Sequence, residues 1–580
     1  MENKDIARIL SQTGDLLEIA GEDGFRIRSY RNAAQSVETW TERIADVVAE
    51  PDKKTADKKL IEIPGVGKSM TGHLREIVAR GSLVPRDEVL KKFPPTILDL
   101  LQIRDLGAKR IALIWSAYHA GSVDEVEKLA QEGKIRELPR MGEKLEQNLL
   151  KAIAIWRNSA GRYRIDVADN AASKLRDYLK SADKHVRVTI AGSLRRGKET
   201  IGDLDLLVTG GDPGKMIEHL LKYPEIVGEV ARGENKCSIR IGLNMHVDVR
   251  FLKPDEYGSA MQYFTGSKEH GVALRQRALR MGYTLSEYGL FRLKDESRAA
   301  GKTEEEIYQT LGLDMIPPEL RENSGEIDAA EEHRLPKLIE PGDLRGDVHM
   351  HTTATDGRAS ILEMAQAAQA RGLEYIAITD HSKAQAMNSG LDEKAIVAQI
   401  AEIREIEKQM PEGFRIFAGC EVDILKDGAL DLDDDALAQL DVVIGSIHSH
   451  MNLEPEEQTD RLLRVCENRY LRILGHPTGR QLTRRDPYPF DFGRVLAAVA
   501  KRGIHMEINA SPERLDLRDV QARMCKEKGV KLVINTDAHH PTHLENARFG
   551  VTVARRAWLE KKDVLNTLPA SKFLHALHRK

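Results

Sequence analysis

Cysteine is scarce in this chain of 580 residues: Cys237, Cys420, Cys466 and Cys525, none in C-x-x-C spacing. That scatter argues against a disulfide framework and for a reducing compartment. No run approaches the roughly 18 apolar residues of a membrane span, and the start, Met-Glu-Asn-Lys-Asp, lacks the apolar core of a signal peptide. A cytoplasmic protein with no membrane partner is expected. Excess positive charge is missing too: 87 Lys and Arg face 91 Asp and Glu, net -4. Any contact with a polyanion must therefore come from local basic surfaces. The chain is too long for one core, and three or more units are expected.

What is present is most concentrated between Gly192 and Val208. A Gly192-Ser193 turn leads into Arg195 and Arg196, and Asp203 and Asp205 open an apolar run, Leu206-Leu207-Val208. Side chains two apart on a strand share a face. Two adjacent carboxylates repel unless a cation lies between them, which favours a hard divalent metal such as Mg²⁺. Free N–H groups at the turn and the two arginines suit a metal-bound polyphosphate. A lone Asp-x-Asp is usually a solvated turn. Here Met245-His246-Val247-Asp248-Val249-Arg250 forms another alternating strand and supplies a third acid. A helical stretch (214–223) and a strand around 238–241 lie between, enough to bring Asp248 beside the pair. Three acids on neighbouring strands suit two metals clamping a phosphoryl transfer.

This pattern resembles the palm of the family X DNA polymerases, within the nucleotidyltransferase superfamily. The resemblance implies that Gly192, Ser193 and Arg196 hold the triphosphate, with Gly202 nearby, and that Asp203, Asp205 and Asp248 bind Mg²⁺ or Mn²⁺. Tyr263-Phe264-Thr265-Gly266-Ser267 resembles the family's thumb motif, so Tyr263, Phe264 and Gly266 are expected at the incoming nucleotide, with Lys268 following them. Arg275 stands where the family has an arginine near the templating base. Gly271 replaces a common asparagine and Lys268 an acid, departures that bear on base-pair checking rather than catalysis. Taken alone, Tyr263-Phe264 reads equally well as core.

The N-terminal region reads as helices, with helical spacing over 6–19 and 33–48. Ile63-Pro64-Gly65-Val66-Gly67-Lys68 precedes an amphipathic helix running to about Arg80. Glycines before a helix start aim backbone N–H groups outward, as phosphate requires. The segment resembles a helix-hairpin-helix DNA-backbone clamp, which reads no sequence, so Gly65, Gly67 and Lys68 are expected at DNA. Weaker copies run from Ile103 to Gly107 and from Leu138 to Gly142, their first glycines replaced by Asp105 and Arg140. The third copy reads as a helix-joining turn. Arg26, Tyr30 and Arg31 match the family's contacts on the 5′ side of a gap. At the position of the family's Schiff-base lysine stands His73, which forms no stable iminium. Lyase chemistry is therefore not assigned, although Lys68 is near.

From about 320 the sequence turns acidic and proline-rich, reading as a linker over 321–343. Beyond it lie 12 of the 19 histidines. The stretches 347–351, 376–381, 419–423, 442–448, 473–476 and 533–539 end in His or Asp, most of them after apolar strands, and Asp356 stands in a turn at 355–357. Helical stretches at 361–371 and 395–408 alternate with them. A (β/α) barrel follows, its chemistry at the C-terminal strand ends, and mixed imidazole and carboxylate ligands suit Zn²⁺, Mn²⁺ or Fe. The pattern resembles the PHP (polymerase and histidinol phosphatase) domain, a trinuclear phosphoesterase. The resemblance implies up to three ions held by His349, His351, Asp356, His381, Glu421, His448, His476, Asp537 and His539. Asp380, His450, Asn509 and His540 are expected around that cluster or at the surface.

The fold expected is multidomain: helix-hairpin-helix domains (1–85 and a fingers-like 86–158), an α+β nucleotidyltransferase palm (159–255) and thumb (256–320), the linker, and a distorted (β/α)7 PHP barrel (344–580). By resemblance the chain is a bacterial-type family X DNA polymerase. It would fill short gaps in DNA from dNTPs as a monomer, with a PHP domain that degrades or cleans 3′ ends and cuts at abasic sites. Two readings compete with it. In one the polymerase half survives only as a DNA-gripping module beside a PHP nuclease. In the other the PHP domain is a brace or a small-molecule phosphatase.

Overall fold

The computed structural model describes the chain except for Glu2, 41–43, Pro95, Gln102, Arg104, Asp105, Ala160, Leu243, Ala386, Met387, Arg579 and Lys580. It divides into two compact units, residues 1–160 with 483–485, and 161–482 with 486–580.

The first unit is helical, closed over one apolar cluster that includes Leu10, Leu17, Leu60, Leu74, Ile111 and Ile153. The helix expected over 33–48 is two, Gly24–Thr39 and Ile44–Ala49, because Trp40 takes extended backbone (φ -66°, ψ 129°) and ends the first. Three hairpins share one hydrogen bond: Val66, Leu106 and Met141 donate to the carbonyls of Ile63, Ile103 and Leu138 at 3.0, 3.1 and 3.1 Å. Each runs into a helix, Lys68–Arg80, Ala108–Tyr118 and Glu143–Ser159. The third is thus more than a generic turn: Arg140 adopts φ 63° where Gly65 has φ 77°. Asp105, the substitution in the second, lies outside the described residues.

The second unit opens with helix Ile165–Lys180 on a five-stranded sheet of β1 (Arg187–Ile190), β2 (Asp203–Thr209), β3 (Ile226–Arg232), β4 (Lys236–Ile241) and β5 (Met245–Leu252), in the order β1-β2-β5-β4-β3. Only β2 and β5 run parallel. Strand alternation buries Met245, Val247, Val249 and Phe251 and leaves His246, Asp248 and Arg250 on the other face. Helices Tyr257–Thr265 and Lys268–Arg280, a three-stranded sheet within 283–300 and helix Glu304–Thr310 complete the polymerase-like part.

The segment 321–343 is not a free linker. Arg321 and Glu326 are fully buried, Glu326 starts helix Glu326–Glu331, and the Ile339 N–H donates to the Leu559 carbonyl. Its acids meet basic partners: Glu322 pairs with Arg196 and Arg556, and Glu319, just before the segment, pairs with Arg555.

Seven parallel strands follow: β6 (Gly346–Asp347), β7 (Tyr375–Ile378), β8 (Arg415–Asp423), β9 (Val442–Ser446), β10 (Ile473–Leu474), β11 (His505–Asn509) and β12 (Leu532–Asn535), each beside the next. The ring draws shut where the His351 N–H donates to Ala538 and the Ala538 N–H to His349, at 2.8 and 3.3 Å. The strand expected through His351 is therefore short, its continuation serving as the seam. β11 was not among the strands read from sequence. Buried apolar side chains of palm and barrel form one continuous cluster.

Two candidate metal centres

In the palm, parallel register sets Asp205 opposite Asp248, with Asp203 at the start of the same strand. Gly192, at φ 64°, opens the turn-like helix Gly192–Arg195 directly against Asp205: a Cβ there would lie 2.3 Å from Asp205 Oδ2. Burial, then the negative charges of Asp203 and Asp248, push the Asp205 carboxyl up to about 7. Asp248 goes the other way. Burial opposes its ionisation, but it accepts from Ser238 Oγ at 2.5 Å and pairs with Lys236 Nζ at 2.9 Å, and is held below the usual range. Three acids, one raised by burial and by the other two, form a donor set that a divalent cation would satisfy.

Around them, Arg196 Nε donates to Glu322 at 3.1 Å and Nη1 to the Thr265 carbonyl at 2.5 Å. Gly266 approaches the same guanidinium so closely that a Cβ would lie 3.0 Å from Nη1. Ser193 lies in the Gly192–Arg195 turn, and Gly202 immediately precedes β2. Tyr263 is 40% exposed, so it is not core, and packs edge-on against Phe264. Arg275 lies over the Tyr263 ring and Arg250 over Phe264. Lys268 begins helix Lys268–Arg280, exposed. Sequence reading missed Glu304, which binds both Arg195 and the buried Arg321.

In the barrel, all nine residues named from sequence converge. Their donor atoms form four overlapping groups: His351, Asp356, His381 and His539; His349, His351 and Glu421; His349, His476 and Asp537; His381, Glu421 and His448. Glu421 is the hub, with His349, His351, His381, His448 and His476 nitrogens at 3.4, 3.5, 3.0, 3.3 and 2.8 Å. Burial opposes its charge, yet the His448, His349 and His381 imidazoles hold it well below the carboxylate range. Among the described residues, buried His349 Nε2, both His351 nitrogens, His381 Nδ1 and His476 Nδ1 have no hydrogen-bond partner. Unpartnered buried nitrogens beside anionic oxygens are what a set of metal ligands looks like without its ions, and this donor set fits divalent metals.

The outer ring adds residues that sequence reading left out, Glu507 and Arg514 among them, to two that it named. Glu507 on β11 accepts from His349 Nδ1 (2.7 Å), the His476 N–H (2.6 Å) and Asn535 Nδ2 (2.9 Å). Asp423 accepts from His448 Nδ1 at 2.5 Å. Arg514 Nε lies 3.5 Å from Asp537 Oδ2. Asp380 accepts from Thr352, Thr355 and Gln399, and Asn509 donates to Asp537 and Glu507, so both surround the cluster. His540 is held against Thr542, and His450 is exposed.

In the helical unit, Gly67 and Gly107 occupy N-cap positions with no side-chain cap among the described residues, a geometry that suits a phosphate at the helix start. Gly65 needs its φ of 77°, and Lys68 is exposed at the helix start. Arg26 is 45% exposed beside Glu22. Arg31 is tied to Asp15 and Glu18 at 2.5 and 2.7 Å. Tyr30 departs from expectation: 1% exposed and stacked on His73, it packs the core instead of presenting a ring to DNA.

Family comparisons follow the same division. The helix-hairpin-helix domain matches residues 1–83, the SAM-like helix-hairpin-helix tandem 97–154, the DNA polymerase beta palm 165–229, its thumb 260–322, and the PHP domain 347–511. The palm match stops before Asp248, and the PHP match before Asp537 and His539, which the strands bring back to each centre. A probable phosphatase of Thermoanaerobacter sp. (strain X514) is 30% identical over 233 residues, 38% of this chain and 89% of that protein. One of Caldanaerobacter subterraneus is 34% identical over 205 residues, 33% of this chain and 75% of its own length. The DNA polymerase/3′-5′ exonuclease PolX of Bacillus subtilis (strain 168) is 34% identical over 568 residues, 98% of this chain and 97% of the relative. On that full-length likeness, the chain belongs to the bacterial family X DNA polymerases that carry a C-terminal PHP domain.

Proposed function

We propose that this chain is a DNA-directed DNA polymerase that fills short gaps during repair, and that its PHP domain is a 3′-5′ exonuclease preparing the ends it extends. The observation that carries the polymerase reading is the pairing of Asp205 with Asp248 across parallel strands, Asp203 beside them and Gly192 against Asp205. In this reading the 3′-hydroxyl oxygen attacks the α-phosphorus of a dNTP, the bond to the β-phosphate breaks, and pyrophosphate leaves. Asp205 and Asp248 orient the hydroxyl and draw its proton. Ser193, Arg196 and the turn at Gly192 hold the triphosphate, and Tyr263 and Phe264 lie against the sugar. Divalent ions, Mg²⁺ or Mn²⁺ at the palm and Mn²⁺, Zn²⁺ or Fe in the barrel, supply Lewis acidity toward phosphorus when bound.

At the barrel, Glu421, Asp356 and Asp537 with their six imidazoles gather the ions, and Glu507 and Asp423 fix ring orientation. The helical unit grips phosphates without reading sequence. The protein is proposed to act as a monomer in the cytoplasm, consistent with four free, buried cysteines. The test is insertion and degradation on gapped duplex by the wild type, Asp205→Ala and His351→Ala. Each variant is expected to lose one activity and keep the other. A wild type that inserts nothing, or an Asp205→Ala that inserts normally, removes the polymerase assignment. Degradation retained by His351→Ala removes the barrel from that chemistry.

A further inference from the structure

The side of the triphosphate turn away from the acids is closed by the PHP domain. Helix Ala547–Arg556 of the barrel runs along it, and Gly197, at φ 66°, comes so near that a Cβ would meet Thr552 Cγ2 at 2.1 Å. Apolar packing joins palm and barrel, but it does not fill this junction completely. A cavity of about 420 Å³, lined by Leu194, Arg195, Gly197, Phe549, Thr552 and Arg555 among others, lies at the same junction. Beside the cavity, polar contacts bridge turn and helix.

The central one is Arg556, whose side chain is 4% exposed. Its Nη1 donates to the Arg196 carbonyl at 2.8 Å and to Glu322 Oε1 at 3.0 Å. Nε and Nη2 are fixed by Asp519 at 2.9 and 2.7 Å. The same Glu322 oxygen accepts from Arg196 Nε at 3.1 Å. One guanidinium thus holds Arg196 at both ends, its main chain directly and its side chain through a shared carboxylate.

We propose that Arg556, a residue of the nuclease domain, is a positioning residue of the polymerase centre that presents Arg196 to the incoming triphosphate. This rests on the reading of Arg196 as a triphosphate contact. The physical reason is charge sharing. With Arg556 in place, Glu322 is balanced without Arg196, so Arg196 is released cheaply to a polyanion. Without Arg556, Glu322 draws on Arg196, with Lys198 more distant at 3.9 Å, and the turn loses its backbone anchor. A group that acts through another in this way shifts substrate binding more than the chemical step.

The test measures single-nucleotide insertion on gapped duplex, 3′-5′ degradation and Tm for the wild type, Arg556→Ala, Arg556→Lys, Arg196→Ala and Arg556→Ala/Glu322→Gln. Arg556→Ala is expected to raise KM for dNTP about tenfold and leave kcat within about twofold, with degradation unchanged. Arg556→Lys should recover part of KM, keeping the charge but not the fork. Adding Glu322→Gln should lower the raised KM again, because the carboxylate that captures Arg196 is gone. An unchanged KM in Arg556→Ala overturns the proposal where Arg196→Ala still raises it. Insertion and degradation falling together with Tm overturn it too, as general destabilisation. If Arg196→Ala leaves KM alone, the triphosphate reading beneath the proposal fails instead.

Discussion

Gly192 and Asp205 are so close that no side chain fits between them: a Cβ on Gly192 would sit 2.3 Å from Asp205 Oδ2. The turn that would hold the triphosphate and the acid that would hold its metal are thus set by one contact. Gly192→Ala should displace Asp205 and add the strain of an L-residue at φ 64°. Misplacement on the ångström scale costs about a hundredfold. Nucleotide insertion should therefore fall by about a hundredfold or more, while 3′-5′ degradation by the same protein stays at the wild-type rate. Gap-filling and exonuclease assays on one preparation check this.

The pH response of insertion follows from Asp205. Burial first, then Asp203 and Asp248, push its carboxyl up to about 7. A raised carboxyl keeps its proton below that pH, and a metal must displace it; above it there is no proton to displace. The Mg²⁺ concentration for half-maximal insertion should be flat above pH 7 and rise toward about tenfold per unit below it. Titrating Mg²⁺ at a series of pH values, with saturating dNTP and DNA, checks the slope. A flat profile down to pH 5.5 would contradict the shift.

Glu507 is fully buried and accepts from His349, His476 and Asn535. Glu507→Gln keeps the shape but must offer an N–H where acceptors are needed, turning or freeing the His349 ring. Loss of a partner behind a metal ligand typically costs about 10- to 100-fold in affinity or activity. Degradation should fall by that factor and recover partly at high Mn²⁺, with insertion unaffected. Elemental analysis of the purified variant should show fewer ions per chain than the wild type.

These residues also show what the sequence could carry. The nine histidines and acids of the barrel were legible because strand ends project ligands at one rim, so apolar strand plus terminal ligand is a local pattern. Glu507 was not, since it lies inside a strand, His505-Met506-Glu507-Ile508-Asn509, whose reason for tolerating a buried acid is the ring of His349, 158 residues away. The acids of 321–343 misled for the same reason. Glu326 is buried against His270 at 2.7 Å, and half-buried Glu322 pairs with two arginines, partners that composition cannot reveal. Tyr30 matched a pattern of DNA contacts, yet helix packing turned it inward onto His73.

Arg514 presents the last case, a cation beside a centre built to hold cations. Its Nε lies 3.5 Å from Asp537 Oδ2, and its buried Nη1 has no acceptor among the described residues. Leaving a buried donor unmade costs about 1–3 kcal/mol, and a positive group next to metals is repelled unless an anion comes between. Both costs vanish when a phosphodiester occupies the cluster and a non-bridging oxygen accepts from Nη1. Arg514→Ala should therefore lower kcat for 3′-5′ degradation about a hundredfold and leave insertion intact. Arg514→Lys should recover little, since an ammonium cannot reach Asp537 and the phosphate with one planar fork. Metal content decides what the arginine does. Ions retained in Arg514→Ala with kcat lost assign it to the phosphate, whereas ions lost together with activity assign it to holding Asp537.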